Sequence, residues 1–282
     1  MQQKFRIERM DREHLELALD WAAAEGWNPG LHDAACFFST DAEGFFMGFL
    51  GDEPVGSISA VSYPDDFGFI GLYIVRPEHR GKGFGLKLWH TAVDHLGERT
   101  IGLDGVIERQ SSYARSGFVT AHRNVRFEWT GPAVTETDPA VQRLDPADFG
   151  ELLAYDAALF PGMRDDFLRV WMGQPSGVGL TYRSDDGGIA GYGLLRPCRV
   201  GYKLGPWFAD TARIAEDLLK AFRHHAGAAP IFIDVPEPNT AALRLATVHG
   251  MRRVFETARM YTPRAPALPL ERTFGITTYE LG

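Results

Sequence analysis

Cysteine is almost missing from this chain, and the two that occur, Cys36 and Cys198, stand far apart with no CxxC pair and no Cys/His cluster around them. Neither a disulfide framework nor a zinc site is implied, and a reducing, cytoplasmic setting is expected. Long apolar runs are missing too: no stretch approaches the roughly 18 consecutive apolar residues that a membrane-spanning helix requires. The opening MQQKFRIERM alternates charged and apolar residues where a signal peptide would carry an apolar core. Neither export nor membrane embedding is expected. Basic residues are outnumbered, 29 Lys and Arg against 37 Asp and Glu for a net charge of −8. That balance argues against a nucleic-acid-binding face, which needs dense Lys and Arg to neutralise phosphates. With no low-complexity tract and 45% hydrophobic residues over 282 positions, the chain reads as globular and long enough for one large domain or two ordinary ones.

What is present is an order of elements that occurs twice. Phe5 and Ile7 alternate with Arg6 and Glu8 as a short strand, ahead of a helix bearing Leu15, Leu17, Ala18 and Trp21 that stops near Gly26. A short helix is predicted over 31–38. Strands follow at 44–50 and 55–61, joined by the turn Gly51, Asp52, Glu53, Pro54. The stretch 68–75, GFIGLYIV, is apolar nearly throughout, as a central strand covered on both faces should be. After Gly85, the residues Leu88, Trp89, Ala92, Val93 and Leu96 recur at helical spacing. A strand at 101–107, a short helix at 112–116 and a strand at 119–129 close the first set. Residues 131–140, GPAVTETDPA, lack periodicity and mark a linker. From Val141 the order restarts: helices at 148–160 and 165–172, strands at 178–183, 189–195 and 202–208, and a helix bearing Ile214, Leu218, Ala221 and Phe222. A strand at 231–235, a helix at 239–249 and a strand at 252–261 repeat the earlier ending, with a further strand candidate at 275–281. The expectation is a duplicated unit, 1–130 and 141–282 about the linker.

The chemistry concentrates in residues 72–85, LYIVRPEHRGKGFG, where an apolar strand passes through a Gly-rich turn directly into an amphipathic helix. Free amides at such a helix start, with the helix dipole behind them, favour a diphosphate. An ordinary tight connection is the competing interpretation. The turn is not a P-loop, since the GK[ST] ending is absent, and it lacks the first-strand placement of a dinucleotide fingerprint. Arg80-x-x-Gly83-x-Gly85 after YIVRPEHR resembles the signature of the GNAT superfamily of N-acetyltransferases, and the resemblance extends over residues 1–130. It implies an α/β (α+β) fold in which each of two tandem units is a mixed, mostly antiparallel twisted sheet flanked by helices. Acetyl-coenzyme A would be the donor, with no metal. The backbone of Ile74 and Val75 would face the pantetheine and acetyl group, while Arg80, Gly81, Lys82, Gly83, Phe84 and Gly85 would hold the pyrophosphate.

Tyr113-Ala114-Arg115-Ser116-Gly117-Phe118 is similar to the family's Tyr-x-x-x-Gly-Phe segment, which implies that Tyr113 protonates the departing thiolate as general acid; an aromatic packing residue is the alternative. A strand amide near Ile74 is the candidate for the oxyanion. The base is open between Glu25 and Asp104, because GFIGLYIV has no carboxylate where many relatives carry one. Each also has a structural interpretation, Glu25 in a helix-ending turn and Asp104 at a hydrogen-bonded strand end. Trp27, Asn28 and Tyr73 are assigned to the acceptor pocket. His14, His32, His79, His90 and His95 lack metal-ligand spacing, and His224 and His225 read as complementing a helix C-terminus. Residues 230–239, the helix ending His249, Gly250, Met251 and the following FETARMY are similar to the YitH-type acetyltransferase domain, a resemblance that covers most of residues 141–282. There the turn is Phe208, Ala209, Asp210, Thr211, Ala212, without the arginine or glycines, and Ala246 replaces the tyrosine, so the second unit is expected to shape the acceptor site without catalysing. The expected activity is acetyl transfer to a primary amine of a small molecule by direct attack in a ternary complex. The alternatives are acetylation of a protein or peptide, which an acidic chain could dock, and a non-catalytic acyl-coenzyme A sensor. No nucleic-acid or membrane partner is expected, and the protein would be a monomer made pseudo-dimeric by its two units, or a homodimer.

Overall fold

The computed structural model describes residues 4–282; residues 1–3, the start of the segment read for a signal peptide, lie outside the described residues. The first half runs β1 (Phe5–Arg9), α1 (Arg12–Ala24), α2 (Asp33–Thr40), β2 (Phe45–Leu50), β3 (Glu53–Tyr63), β4 (Phe67–Val75), α3 (Phe84–Leu96), β5 (Thr100–Gly105), α4 (Gln110–Arg115) and β6 (Val119–Trp129). The second repeats it as β7 (Val141–Arg143), α5 (Phe149–Asp156), α6 (Asp165–Met172), β8 (Val178–Arg183), β9 (Ile189–Pro197), β10 (Tyr202–Ala209), α7 (Ala212–Ala226), β11 (Ile231–Pro236), α8 (Thr240–Val248) and β12 (Arg252–Thr262), followed by β13 (Thr273–Gly275). Local chemistry explains the helix limits. Asp11 caps α1 by accepting from the His14 amide at 2.9 Å, and Leu15, Ala18, Leu19 and Ala22 form its buried stripe. In α7 the cap is Thr211, whose hydroxyl accepts from the Ile214 amide. The neighbouring Asp210 binds the Tyr155 hydroxyl and Arg272. No helix among the described residues is long and apolar enough to cross a membrane.

The two half-sheets join into one, ordered β1-β2-β3-β4-β5-β12-β6-β11-β10-β9-β8-β7. Each half hands its last strand to the other: β12 pairs with β5 and β6 pairs with β11, while β6 and β12 run antiparallel to each other at the centre. One apolar core, holding α1, α2 and α6 with Phe37 stacked on Trp171 at 6.0 Å, is shared by both halves on one face of the sheet. On the other face α3 covers the first half and α7 with α8 the second. Each fully buried Leu or Phe in these cores contributes roughly 1.5–3 kcal/mol. Both cysteines are buried and free.

Two matched irregularities position the site. β4 and β5 pair in parallel from Phe67↔Thr100 to Ile70↔Leu103 and then part. At that point β4 bulges against β3, Leu72 takes φ 45°, and Ser57 Oγ donates to the Leu72 carbonyl at 2.7 Å. The strands therefore splay into an open slot. In the second half β10 and β11 pair in parallel from Tyr202↔Ile231 to Leu204↔Ile233, and β10 is irregular between Leu204 and Trp207. Here the slot is filled, because β13 pairs with β10 beyond the irregularity and the Ile276 amide donates to the Asp234 carbonyl at 2.9 Å.

The predicted strand over 275–281 is corrected at this point. Only Gly275 belongs to a strand, and residues 276–281 form buried, irregular chain. This segment crosses from one slot to the other. A Cβ on Gly205 would lie 2.4 Å from the Ile276 carbonyl oxygen, and one on Gly71 would lie 2.2 Å from that of Glu280, so the crossing is sterically possible only over glycine.

Candidate active site

The open slot between β4 and β5 leads into a cavity of about 770 Å³. At one end lies the turn into α3. Gly81 and Gly83 hold φ of 76° and 80°, a backbone region that other residues enter at a cost, and no atom lies within 4 Å of where either Cβ would be. Gly83 is the N-cap of α3 and brings no side chain to its amides, so the positive end of a long helix faces unobstructed space. Arg80 is fixed beside it: Nε donates to the Val75 carbonyl at 2.8 Å, and the guanidinium pairs with Glu25 at 2.5 Å. Lys82 offers only its backbone there, since its ammonium turns back to the Glu78 carbonyl at 2.9 Å and does not line the cavity.

Tyr113 lines the same cavity from α4, its ring held against Trp89 at 5.3 Å and Phe118 at 6.5 Å. Burial, with Tyr73 nearby, pushes its phenol above the ordinary tyrosine value, so it is fully protonated at neutral pH. Tyr73 lies on this side as well, packed on Trp89 at 5.8 Å among the residues facing α3. Assigned to the acceptor pocket from sequence, it lines the cavity on the side nearer α3. The bulge in β4 decides the matter, because beyond it Leu72 and Ile74 join the shared core while Tyr73 and Val75 pack toward α3.

The opposite wall comes largely from the second half, through Phe255, Thr257, Tyr279 and Glu280, together with Trp27. The loop holding Trp27 is clamped across the junction. Its carbonyl accepts from Arg126 at 2.8 Å and from buried Lys203 at 2.9 Å. Arg126 also makes a two-pronged pair with Asp234, at 2.6 and 2.8 Å. Burial alone would raise the Asp234 carboxyl, but the adjacent guanidinium holds it below the usual carboxylate value. Asn28 serves the clamp and does not line the cavity: its amide group exchanges two hydrogen bonds with the Val200 backbone, at 2.9 and 3.0 Å. Its assignment to acceptor contact is corrected accordingly.

Comparison with known proteins gives a family match in each half. Residues 9–118 fit the model of the acetyltransferase (GNAT) family, and residues 152–275 fit that of an acetyltransferase (GNAT) domain. A holothin acyltransferase of Pseudoalteromonas sp. (strain SANK 73390) is 31% identical over 271 residues, which is 96% of this chain and 92% of the relative. This chain belongs to the GNAT acetyltransferase family. It is a tandem GNAT protein and an acyltransferase. The uncharacterised N-acetyltransferase YitH of Bacillus subtilis (strain 168) is 29% identical over 176 residues, 61% of each chain. A Pyrococcus horikoshii protein solved as a candidate acetyltransferase shares the fold with a TM-score of 0.83 at 23% identity, covering 99% of this chain and 96% of that one. A tandem GNAT protein from the clavulanic acid biosynthesis pathway does so at 0.64 and 12% identity, covering 94% and 100%.

Within this GNAT site the two carboxylates proposed as base are already engaged. Glu25 is held by Arg80. The Asp104 side chain is fully buried and receives Arg259 at 2.8 Å, Asn124 at 2.8 Å and Thr257 at 3.3 Å. Sequence reading missed Glu280, the remaining buried carboxylate on the cavity. The signal available was a single acid within the otherwise uncharged stretch GITTYELG. Among the described residues one group could hold a metal by proximity, Glu53, Glu78 and His79, but the Arg76 guanidinium already pairs with both of its carboxylates.

Proposed function

We propose that this GNAT protein transfers an acetyl group from acetyl-coenzyme A to a primary amine of a small molecule, by direct attack in a ternary complex. The observation that carries the proposal is the coincidence, in one cavity, of an open β4–β5 slot, an uncapped α3 start and a protonated Tyr113. The amides of residues 81–85 and Arg80 fit a diphosphate, and the slot beside Ile74 and Val75 fits the pantetheine arm. The amine nitrogen forms a bond to the acyl carbon, a strand amide of the splayed β4 steadies the oxyanion, and collapse breaks the carbon–sulfur bond as Tyr113 gives its proton to sulfur. A small acceptor is favoured because buried residues 276–281 and the clamped Trp27 loop build the far wall from fixed chain. Likeness over nearly the whole chain to a protein named for acylating holothin agrees with this and leaves the acyl group wider than acetyl.

Thiol release from acetyl-coenzyme A, with amine metabolites in one arm and a peptide array in the other, tests the reading; activity confined to peptides would overturn the acceptor class. Two further results are expected in calorimetry. The stoichiometry is one donor per chain, because β13 occupies the second slot; a second saturable site would contradict this. Gly83→Val, which forces a branched residue into φ 80°, weakens acetyl-coenzyme A by about tenfold or more, equivalent to about 1.4 kcal/mol. An unchanged Kd would remove residues 80–85 from the donor site.

A further inference from the structure

Glu280 lies at the meeting point of both halves. Its carbonyl oxygen crosses β4 at Gly71, beside the bulge, and the residue lines the cavity. It is 2% exposed. One carboxylate oxygen, Oε2, accepts from the Thr278 hydroxyl, while Oε1 is buried with no hydrogen-bond partner. A buried carboxylate oxygen without a donor is costly to leave so, and its natural complement is a cationic N–H.

The surrounding charges do not supply one. Facing Glu280 are Lys203 on β10, Asp33 on α2, Arg126 on β6 and Arg196 on β9. Arg126 pairs with Asp234, Arg196 pairs with Asp33 through Nε and Nη2 while its Nη1 is unpartnered, and the Lys203 ammonium is bound to the Trp27 carbonyl at 2.9 Å; none of them hydrogen-bonds Oε1. The other carboxylates on the cavity are engaged or lie on its outer rim: Glu25 with Arg80, Asp104 with Arg259, and Glu108 exposed to solvent.

We propose that Glu280 binds the acceptor as its ammonium ion and removes the proton that makes the nitrogen nucleophilic. The proposal rests on the acetyltransferase reading above and names the base of that same site. One ammonium proton passes to Oε1 and on to solvent. The freed lone pair forms the carbon–nitrogen bond, and the N–H proton lost afterwards replaces the one Tyr113 delivers to the coenzyme A sulfur. Charge and protons then balance, with one proton released per amide formed. Burial raises the Glu280 carboxyl above its ordinary value, with partial offset from Lys203, Arg126 and Arg196, which makes it a stronger base than a solvated glutamate. The second half, which lacks the donor loop, thereby supplies the acceptor chemistry of the first.

The experiment compares the full-length wild type with Glu280→Gln, using thiol release with a panel of alkyl and aryl primary amines alongside acetyl-coenzyme A calorimetry. The wild type should show kcat/KM rising with pH through a midpoint above the usual carboxylate range. Glu280→Gln should lose about 100-fold or more in kcat/KM and show no such limb, with donor Kd unchanged. Its Tm should be equal or higher, because a buried charge has been removed; a merely structural role would lower it. Near wild-type turnover in Glu280→Gln, or a retained acidic limb, would overturn the assignment while leaving the acetyltransferase reading intact. Failure of the wild type to bind acetyl-coenzyme A would overturn both.

If no amine in the panel is turned over, carbodiimide coupling decides. Glycine ethyl ester, itself a primary amine, should be found by mass spectrometry on Glu280 of the folded wild type, and absence of that adduct while surface carboxylates are modified would overturn the proposal.

Discussion

Tyr113→Phe lowers kcat by about 10²- to 10⁴-fold, the range for loss of a positioned general acid, while acetyl-coenzyme A affinity measured by calorimetry stays the same. The separation follows from the packing. The ring is held by Trp89 and Phe118, and phenylalanine keeps those contacts, so only the proton is lost. The direction of the Tyr113 shift sets the pH dependence. Burial moves its pKa above the ordinary tyrosine value, so the acid form persists throughout the neutral range and is lost only as pH rises through that raised value. The wild type should therefore show no fall in kcat from this group below about pH 10, the unperturbed tyrosine value. An unchanged kcat for Tyr113→Phe at every pH would leave Tyr113 as a packing residue and nothing more.

Arg259→Met is expected to destabilise the fold by about 3 kcal/mol or more, the cost of leaving one partner of a buried ion pair uncompensated. Arg259 and Asp104 have side chains 7% and 0% exposed and meet at 2.8 Å, at the seam where β12 of the second half pairs with β5 of the first. Burial would by itself lower the Arg259 value, and the Asp104 carboxylate more than reverses this, so the guanidinium remains charged. Removing it strands a carboxylate that Asn124 and Thr257 satisfy only in part. Combining Arg259→Met with Asp104→Asn should restore most of the loss, since asparagine keeps those polar contacts without the charge. Urea unfolding of the two single variants and the double variant measures the coupling directly. Independent, additive losses would show that the pair does not bind the two halves together.

Several parts of the site were legible in the residues themselves. The conformation of the 80–85 turn could be read because it is written in consecutive backbone: glycines where φ is positive, and a helix beginning immediately after them. Tyr113 was singled out through the resemblance of residues 113–118 to a family segment, and it lines the cavity. The degeneracy of the second half was equally local, since Asp210 and Thr211 stand where glycines would be needed. Asp104 and Glu25 were singled out as alternative candidate bases, and both line the cavity. Their partners were invisible, because Arg259 lies 155 positions from Asp104 and Arg80 lies 55 from Glu25. Without those cations neither carboxylate could be recognised as already engaged.

The sequence by itself determined the repeated order of elements and the glycine turn at the start of α3, since each depends on neighbours within a few residues and on backbone preferences that act locally. Only the tertiary structure decided that the halves exchange their last strands, that β13 closes the second slot, and that Glu280 arrives over Gly71 in the first. Those outcomes depend on which strand edges are left free and which glycines let one backbone pass across another. Such contacts are made between segments far apart along the chain, and no local pattern encodes them.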